Sequence, residues 1–275
     1  MGGIIMIIGI TVITIAVAYY YYQKGNVEVA IKILPLLFAS IGFGIVGFID
    51  DFKKLVLKNT TGLKPAYKML GLLIISVSYT IYLIKVLRIG TDTYIPFIKE
   101  YIEIPVWIYI PAAIFVMLAT TNAVNLTDGV DGLSTSVTTI IITCLTVIGI
   151  IFDVKEIILF GCIVCGSNLA FLLFNLHPAK IMMGDTGSLL LGGVIASIAL
   201  YLKLPLLLIV IAMVPVLETV SVILQVTYFK LTRKRLFKMA PLHHHFELSG
   251  WNENKVVSVF SIVTLIFCVI GLNSI

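Results

Sequence analysis

The stretch IKILPLLFASIGFGIVGFIDDFKK, residues 31–54, decides how this chain folds. From Ile33 to Ile49 it holds no charged residue; then two adjacent carboxylates, Asp50 and Asp51, are followed at once by Lys53 and Lys54. A helix needs about 20 apolar residues to cross a hydrocarbon layer about 30 Å thick, so the run reads as a span and the charges mark where it emerges. A carboxylate at membrane depth costs around 2.5–3.5 kcal/mol on insertion scales, so both acids require stabilising partners.

Working outward, comparable runs recur at about 3–22, 31–49, 67–89, 105–121, 135–152, 155–174, 187–202, 205–229 and 256–273. The whole chain is 60% hydrophobic and 12% charged, with a mean hydropathy of +1.11, against roughly 25% charged residues in soluble domains. An all-α polytopic membrane protein with about nine transmembrane helices follows. The runs lack the period-two alternation of a barrel, and the short connections leave 1–275 as a single integral-membrane domain. The first run has neither a basic leading region nor a small-residue cleavage site, so it is expected to be a retained span.

Placing residue 1 on the cytoplasmic side puts 12 of the 19 Lys and Arg residues inside, including Lys53, Lys54, Lys58, Lys64, Lys68 and the basic group from Lys230 to Lys238. The positive-inside rule favours that orientation. The formal charge of +5 is then explained by topology and anionic headgroups, with the lipid bilayer and no nucleic acid as partner. The loop 90–104 alternates polar and apolar residues and reads as a short hairpin or a surface helix. Tyr19–Tyr22 reads as an interfacial aromatic belt. Cys144, Cys162, Cys165 and Cys268 all fall within spans, which favours packing over redox or metal chemistry.

The unusual polar residues collect in four segments, all on the proposed cytoplasmic side: 50–68, 121–134, 175–188 and 230–255. In NLTDGVDGL, Asp128 and Asp131 stand three apart, as do Asn122 and Asn125 just upstream. This is the spacing of one helical face, equally suited to capping a helix or to facing a ligand. In MMGDTGSLLLGG, Asp185 opens the seventh span, where free helix amides would suit an anion and the acid could hold a metal. Chain reversal can bring Asn175 beside it.

Acids converging from separate loops repel one another unless a cation lies between them. With oxygen donors from Asp and Asn alone, the hard cation of choice is Mg²⁺. A diphosphate bridged to that ion would require further cations, which Lys53, Lys54, Lys58 and Lys64 offer. His243, His244 and His245 are consecutive and point in different directions, which argues against a shared zinc ion and for donation to a phosphate or positioning of a proton.

GFIDDFKK, TTNAVNLTDGVDGLS, MGDTGSLLLGG and above all MAPLHHHFELSGW resemble the phospho-N-acetylmuramoyl-pentapeptide-transferases, the lipid I synthases within the superfamily of polyprenyl-phosphate sugar-1-phosphate transferases. The resemblance covers nearly the whole chain. It implies Mg²⁺-dependent transfer of phospho-MurNAc-pentapeptide from UDP-MurNAc-pentapeptide to undecaprenyl phosphate, at the cytoplasmic face of the bacterial inner membrane, by a homodimer. Carried over by motif, Asp185 is the direct Mg²⁺ ligand, Asp50 the base acting on the lipid phosphate, and Asp51 its neighbour in metal or phosphate binding. Asn122, Asn125, Asp128, Asp131 and Asn175 line the nucleotide and metal cleft, and His243, His244 and His245 contact the substrate phosphate or sugar.

The family has ten spans, which places one ahead of the opening MGGIIM. It often carries a basic residue where this chain has Ala66, for which Lys64 or Lys68 is the expected substitute, and an aromatic where this chain has Met182. Its eighth span as counted here is broken to admit a lipid tail, with Pro215 as the expected break because it removes a backbone donor. Direct attack by the lipid phosphate is favoured over a covalent intermediate. Two rivals are an ion-coupled transporter, disfavoured by acids gathered at one face, and a sister transferase using UDP-N-acetylglucosamine.

Overall fold

The computed structural model describes residues 1–58 and 62–275, so positions 59–61 of the first polar segment lie outside the described residues. The chain runs α1 (Gly3–Gln23), α2 (Val27–Lys32), α3 (Leu34–Leu55), α4 (Pro65–Lys85), β1 (Asp92–Ile95), β2 (Glu100–Glu103), α5 (Val106–Thr127), α6 (Leu133–Ile151), α7 (Lys155–Asn175) and α8 (Gly184–Tyr201). A 3₁₀ turn (Pro205–Leu207), α9 (Leu208–Ile211), α10 (Met213–Thr232), α11 (Leu242–Glu247) and α12 (Glu253–Asn273) complete it. Among the described residues nine helical segments are long and apolar enough to cross a membrane, α2 and α3 counting as one continuous span over Val27–Leu55. Each overlaps one run read from the sequence.

The centre of the bundle is α8, buried without interruption from Thr186 to Tyr201. Its closest neighbours are α3 and α5, and small residues make this possible. A Cβ on Gly192 would stand 2.6 Å from Thr121 Cα on α5, and one on Gly47 of α3 would stand 2.1 Å from the carbonyl oxygen of Asp185. Between helices in lipid, where no hydrophobic force separates inside from outside, such backbone contact is a main source of association. The hydroxyls of Ser40, Ser76, Thr121, Thr127 and Thr138 donate to the carbonyl four residues back, so these five buried side chains are satisfied within their own helices. Outward faces remain apolar, as at Phe38, Phe115 and Leu173, which suits a lipid surround.

Alternating spans place the N-termini of α4, α6, α8 and α12 and the C-termini of α3, α5, α7 and α10 at one end of the bundle. The loop 90–104 lies at the other end and is an antiparallel hairpin pairing Asp92 with Glu103 and Tyr94 with Tyr101. Its backbone is anchored where Tyr94 N–H donates to Lys203 O at 2.9 Å and Phe97 N–H to Ser274 O at 3.1 Å. Tyr19, Tyr20 and Tyr22 are exposed at the end of α1, as an aromatic belt requires.

The eighth span is broken, with the interruption at Ala212, three residues before Pro215. The offset has a direct cause: Pro215 has no N–H to offer the carbonyl of Ile211 four residues earlier, so the helix fails on that side of the proline. Cys268 Sγ of α12 lies 3.7 Å from the freed Ile211 oxygen. The four cysteines are free.

Candidate active site

Adjacent residues on a helix point about 100° apart, and the two acids closing α3 accordingly serve different neighbours. Asp51, 6% exposed, turns to α8. It accepts the backbone N–H of Asp185 at 3.1 Å and of Thr186 at 3.0 Å, together with the Thr186 hydroxyl at 2.6 Å. The backbone N–H of Gly184 donates to Asp128. The first amides of α8, expected to be open to an outside anion, are therefore occupied by carboxylates of the chain itself, which complement the positive end of the helix dipole.

Asp50, 2% exposed, turns toward the start of α4. Its Oδ1 accepts the Leu63 N–H at 2.6 Å and its Oδ2 lies 2.6 Å from Lys54 Nζ, one helical turn away. Lys54 also reaches Asp185 Oδ2 at 3.1 Å, and Lys68 reaches the same oxygen at 2.8 Å and Asp50 Oδ2 at 3.7 Å. Two ammonium groups thus bridge two carboxylates from different helices. The other oxygen of Asp185 accepts from Asn125 Nδ2 at 2.9 Å, and Asn125 also donates to Ser188 Oγ at 2.8 Å. Lys68, considered from the sequence only as a substitute for the missing basic residue at Ala66, is a full member of this network. Lys64 is exposed at the N-terminal boundary of α4.

Asp128 follows directly on α5 and is half-buried. Its carboxyl is pushed up to about 7, first by burial and then by the negative charges of Asp185 and Asp51. This is the signature of an acid set short of positive charge. Asp185 and Asp128 offer oxygen donors of the kind that a hard divalent cation takes.

Several other predicted residues lie outside this network. Asn122 returns its amide to Leu118 O on its own helix at 2.7 Å. Asn175, 3% exposed, accepts from the Thr135 hydroxyl at 2.6 Å and donates to Ile181 O at 3.0 Å, tying the 176–183 loop to α6. Asp131 accepts the Ala179 N–H at 2.9 Å and lies 3.2 Å from His177 Nδ1, which is itself 3.2 Å from Glu253. Asp131, His177 and Glu253 form the one trio of potential ligands, among the described residues, whose ligating atoms lie within 4.8 Å of each other. Lys58 is exposed beyond the end of α3.

The three histidines diverge as expected. His243 is fully buried beside Glu218. His244 Nδ1 lies 2.6 Å from Glu247. His245 Nδ1 accepts the Lys238 N–H at 3.1 Å, so its Nε2 carries the ring proton.

Residues 33–203 match the family model described as Glycosyl transferase family 4, a stretch that includes Asp50, Asp51, Lys54, Lys68, Asn125, Asp128 and Asp185. Over 98–100% of this chain, curated relatives align at high identity. The phospho-N-acetylmuramoyl-pentapeptide-transferase of Clostridium kluyveri (strain ATCC 8527) is 50% identical over 274 residues, 84% of its own length. That of Clostridium perfringens (strain SM101 / Type A) is 49% identical over 273 residues, 81% of its length. That of Clostridium botulinum (strain Alaska E43 / Type E3) is 47% identical over 271 residues, 80% of its length.

The chain belongs to the phospho-N-acetylmuramoyl-pentapeptide-transferase family. The family's broader model ends at residue 203, ahead of the histidine run, and it is the full-length relatives that extend the likeness across α10, α11 and α12. Met182 is exposed next to the start of α8.

Proposed function

We propose that this protein transfers phospho-MurNAc-pentapeptide from UDP-MurNAc-pentapeptide to undecaprenyl phosphate, forming lipid I and releasing UMP. The observation that carries the reading is the Asp50–Lys54–Asp185–Lys68 network at one end of a membrane bundle, in a chain of this family. Carboxylates and ammonium groups at a membrane boundary suit a reaction between a lipid phosphate and a soluble diphosphate.

With no substrate bound, Lys54 and Lys68 neutralise Asp50 and Asp185. A diphosphate is a stronger partner for an ammonium than a carboxylate already engaged elsewhere, so substrate arrival draws both lysines onto phosphate oxygens. Asp50 Oδ2 is thereby released. Asp50 then holds the proton of the lipid phosphate as that oxygen attacks the phosphorus that carries the sugar. The new P–O bond forms, the diphosphate bridge breaks, and UMP leaves with the bridging oxygen. Bound by Asp185 and Asp128, Mg²⁺ would supply neutralisation of the diphosphate charge. Asn125 keeps the Asp185 carboxylate oriented, and Asp51 fixes the start of α8 that carries it. His245 presents an Nε2–H donor for a phosphate or sugar oxygen, and Asp131 and His244 stand on the same end of the bundle.

A cytoplasmic location for this end agrees with its concentration of Lys and Arg. The bacterial inner membrane and a homodimer belong to the same reading. The test is UMP release by purified protein in detergent with undecaprenyl phosphate, comparing UDP-MurNAc-pentapeptide with UDP-N-acetylglucosamine. Release with the muramoyl substrate alone supports the proposal; release with UDP-N-acetylglucosamine alone transfers the protein to the sister reaction.

A further inference from the structure

Glu218 lies on α10 shortly after the break at Ala212 and is fully buried, as is His243 on α11. Glutamate is almost never fully buried without a partner. Here the His243 backbone N–H donates to Glu218 Oε1 at 3.3 Å, and His243 Nδ1 lies 3.2 Å from the same oxygen. Glu218 Oε2 and both ring nitrogens of His243 nonetheless have no aligned hydrogen-bond partner. Buried polar atoms are paired in the great majority of cases, so three orphans on two touching side chains mark a place where stability is given up. The far side of the ring faces the turn between α5 and α6. A Cβ on Gly129 would stand 2.2 Å from His243 Nε2, so only glycine lets the ring approach the backbone that links Asp128 to Asp131.

We propose that Glu218 is a positioning residue, resting on the function proposed above: its carboxylate holds the His243 ring with the proton on Nδ1, so that Nε2 presents a lone pair toward the Gly129 turn. A carboxylate oxygen 3.2 Å from Nδ1 favours the proton on that nitrogen by its charge, which leaves the lone pair on Nε2. Glu218 thereby couples the broken span, which includes α10, to the turn carrying Asp128. A purely architectural Glu218 would need only its Oε1 as acceptor for the His243 backbone N–H, and a glutamine supplies that equally well.

Two readouts on the full chain in detergent separate these cases. In protein labelled with ¹⁵N-histidine, long-range ¹H–¹⁵N spectra report which ring nitrogen carries a proton, His243 being assigned by the signal lost in His243→Gln. The expected result is a protonated Nδ1 in the wild type and a shift of that proton toward Nε2 in Glu218→Gln. In the UMP-release assay, Glu218→Gln should lower kcat by about 10- to 100-fold with KM little changed, and Glu218→Asp should recover part of the loss. An unprotonated Nδ1 in the wild type, or a Glu218→Gln enzyme with wild-type kcat, overturns the assignment. The spectrum judges the assignment even in a protein that releases no UMP, a result that would instead count against the proposed reaction.

Discussion

Lys54 Nζ lies 2.6 Å from Asp50 Oδ2 and 3.1 Å from Asp185 Oδ2, so one ammonium group joins the end of α3 to the start of α8. The same charge that stabilises the two carboxylates is the charge a phosphate would recruit. Lys68, from α4, duplicates the arrangement at 2.8 Å from Asp185.

Lys68→Ala should therefore reduce kcat/KM by about 10- to 100-fold, the equivalent of one charge-assisted hydrogen bond, while Lys58→Ala, on an exposed residue outside the network, should stay within about threefold of wild type. Steady-state kinetics with varied nucleotide substrate measure both. Equal losses in the two variants would show that bulk positive charge at this end matters, with no special part for Lys68.

Asp51 and Asp185 should separate stability from turnover. Asp51→Ala removes the acceptor for two backbone amides and a buried hydroxyl, and should cost about 1–3 kcal/mol of stability, read as a lower midpoint in thermal unfolding. Asp185→Ala should unfold much closer to wild type while losing activity. A wild-type midpoint for Asp51→Ala would contradict the capping role.

The Asp128 carboxyl is raised to about 7 from an ordinary carboxylate value. A group whose folded-state value is raised contributes stability at low pH, and that contribution is lost as pH rises through about 7. Metal-free protein in a chelator should thus lose thermal stability progressively as pH rises from about 4 to about 7, with no further loss from this group above that, and Asp128→Asn should flatten this loss although it impairs turnover. An unchanged pH slope in the variant would remove Asp128 as its source.

Gly47→Ala should be severely disruptive for a change of one methyl group, because the added atom would meet the Asp185 carbonyl oxygen at 2.1 Å and push α3 off α8. Yield of folded protein and residual activity should both fall; normal values for both would show that the crossing can relax.

The spans were legible because lipid demands long apolar runs, and the need of Asp50 and Asp51 for stabilising partners because a carboxylate at membrane depth is costly. Long-range relationships left weaker traces. Nothing in DDFKK distinguishes the acid that meets lysines from the acid that caps another helix, since this depends on which neighbour each side of α3 faces. Lys68 enters through a chain reversal that the sequence does not specify. Asn122 and Asn175 read, from spacing, chain reversal and motif, as lining the cleft, and the amide of each donates to a backbone carbonyl nearby, a contact that spacing alone does not specify. The burial of His243 was hidden for a related reason: its partner Glu218 is 25 residues away and its space depends on Gly129. The break expected near Pro215 falls at Ala212, because proline disables the carbonyl four positions earlier and not its own site.

The most direct test is UMP release from UDP-MurNAc-pentapeptide in the presence of undecaprenyl phosphate, measured with Mg²⁺ and with EDTA for the wild type and for Asp185→Ala. The account predicts release by the wild type with Mg²⁺ only, and a fall of at least about 10²-fold in a folded Asp185→Ala protein. Metal-independent release, or full activity without the Asp185 carboxylate, would contradict it.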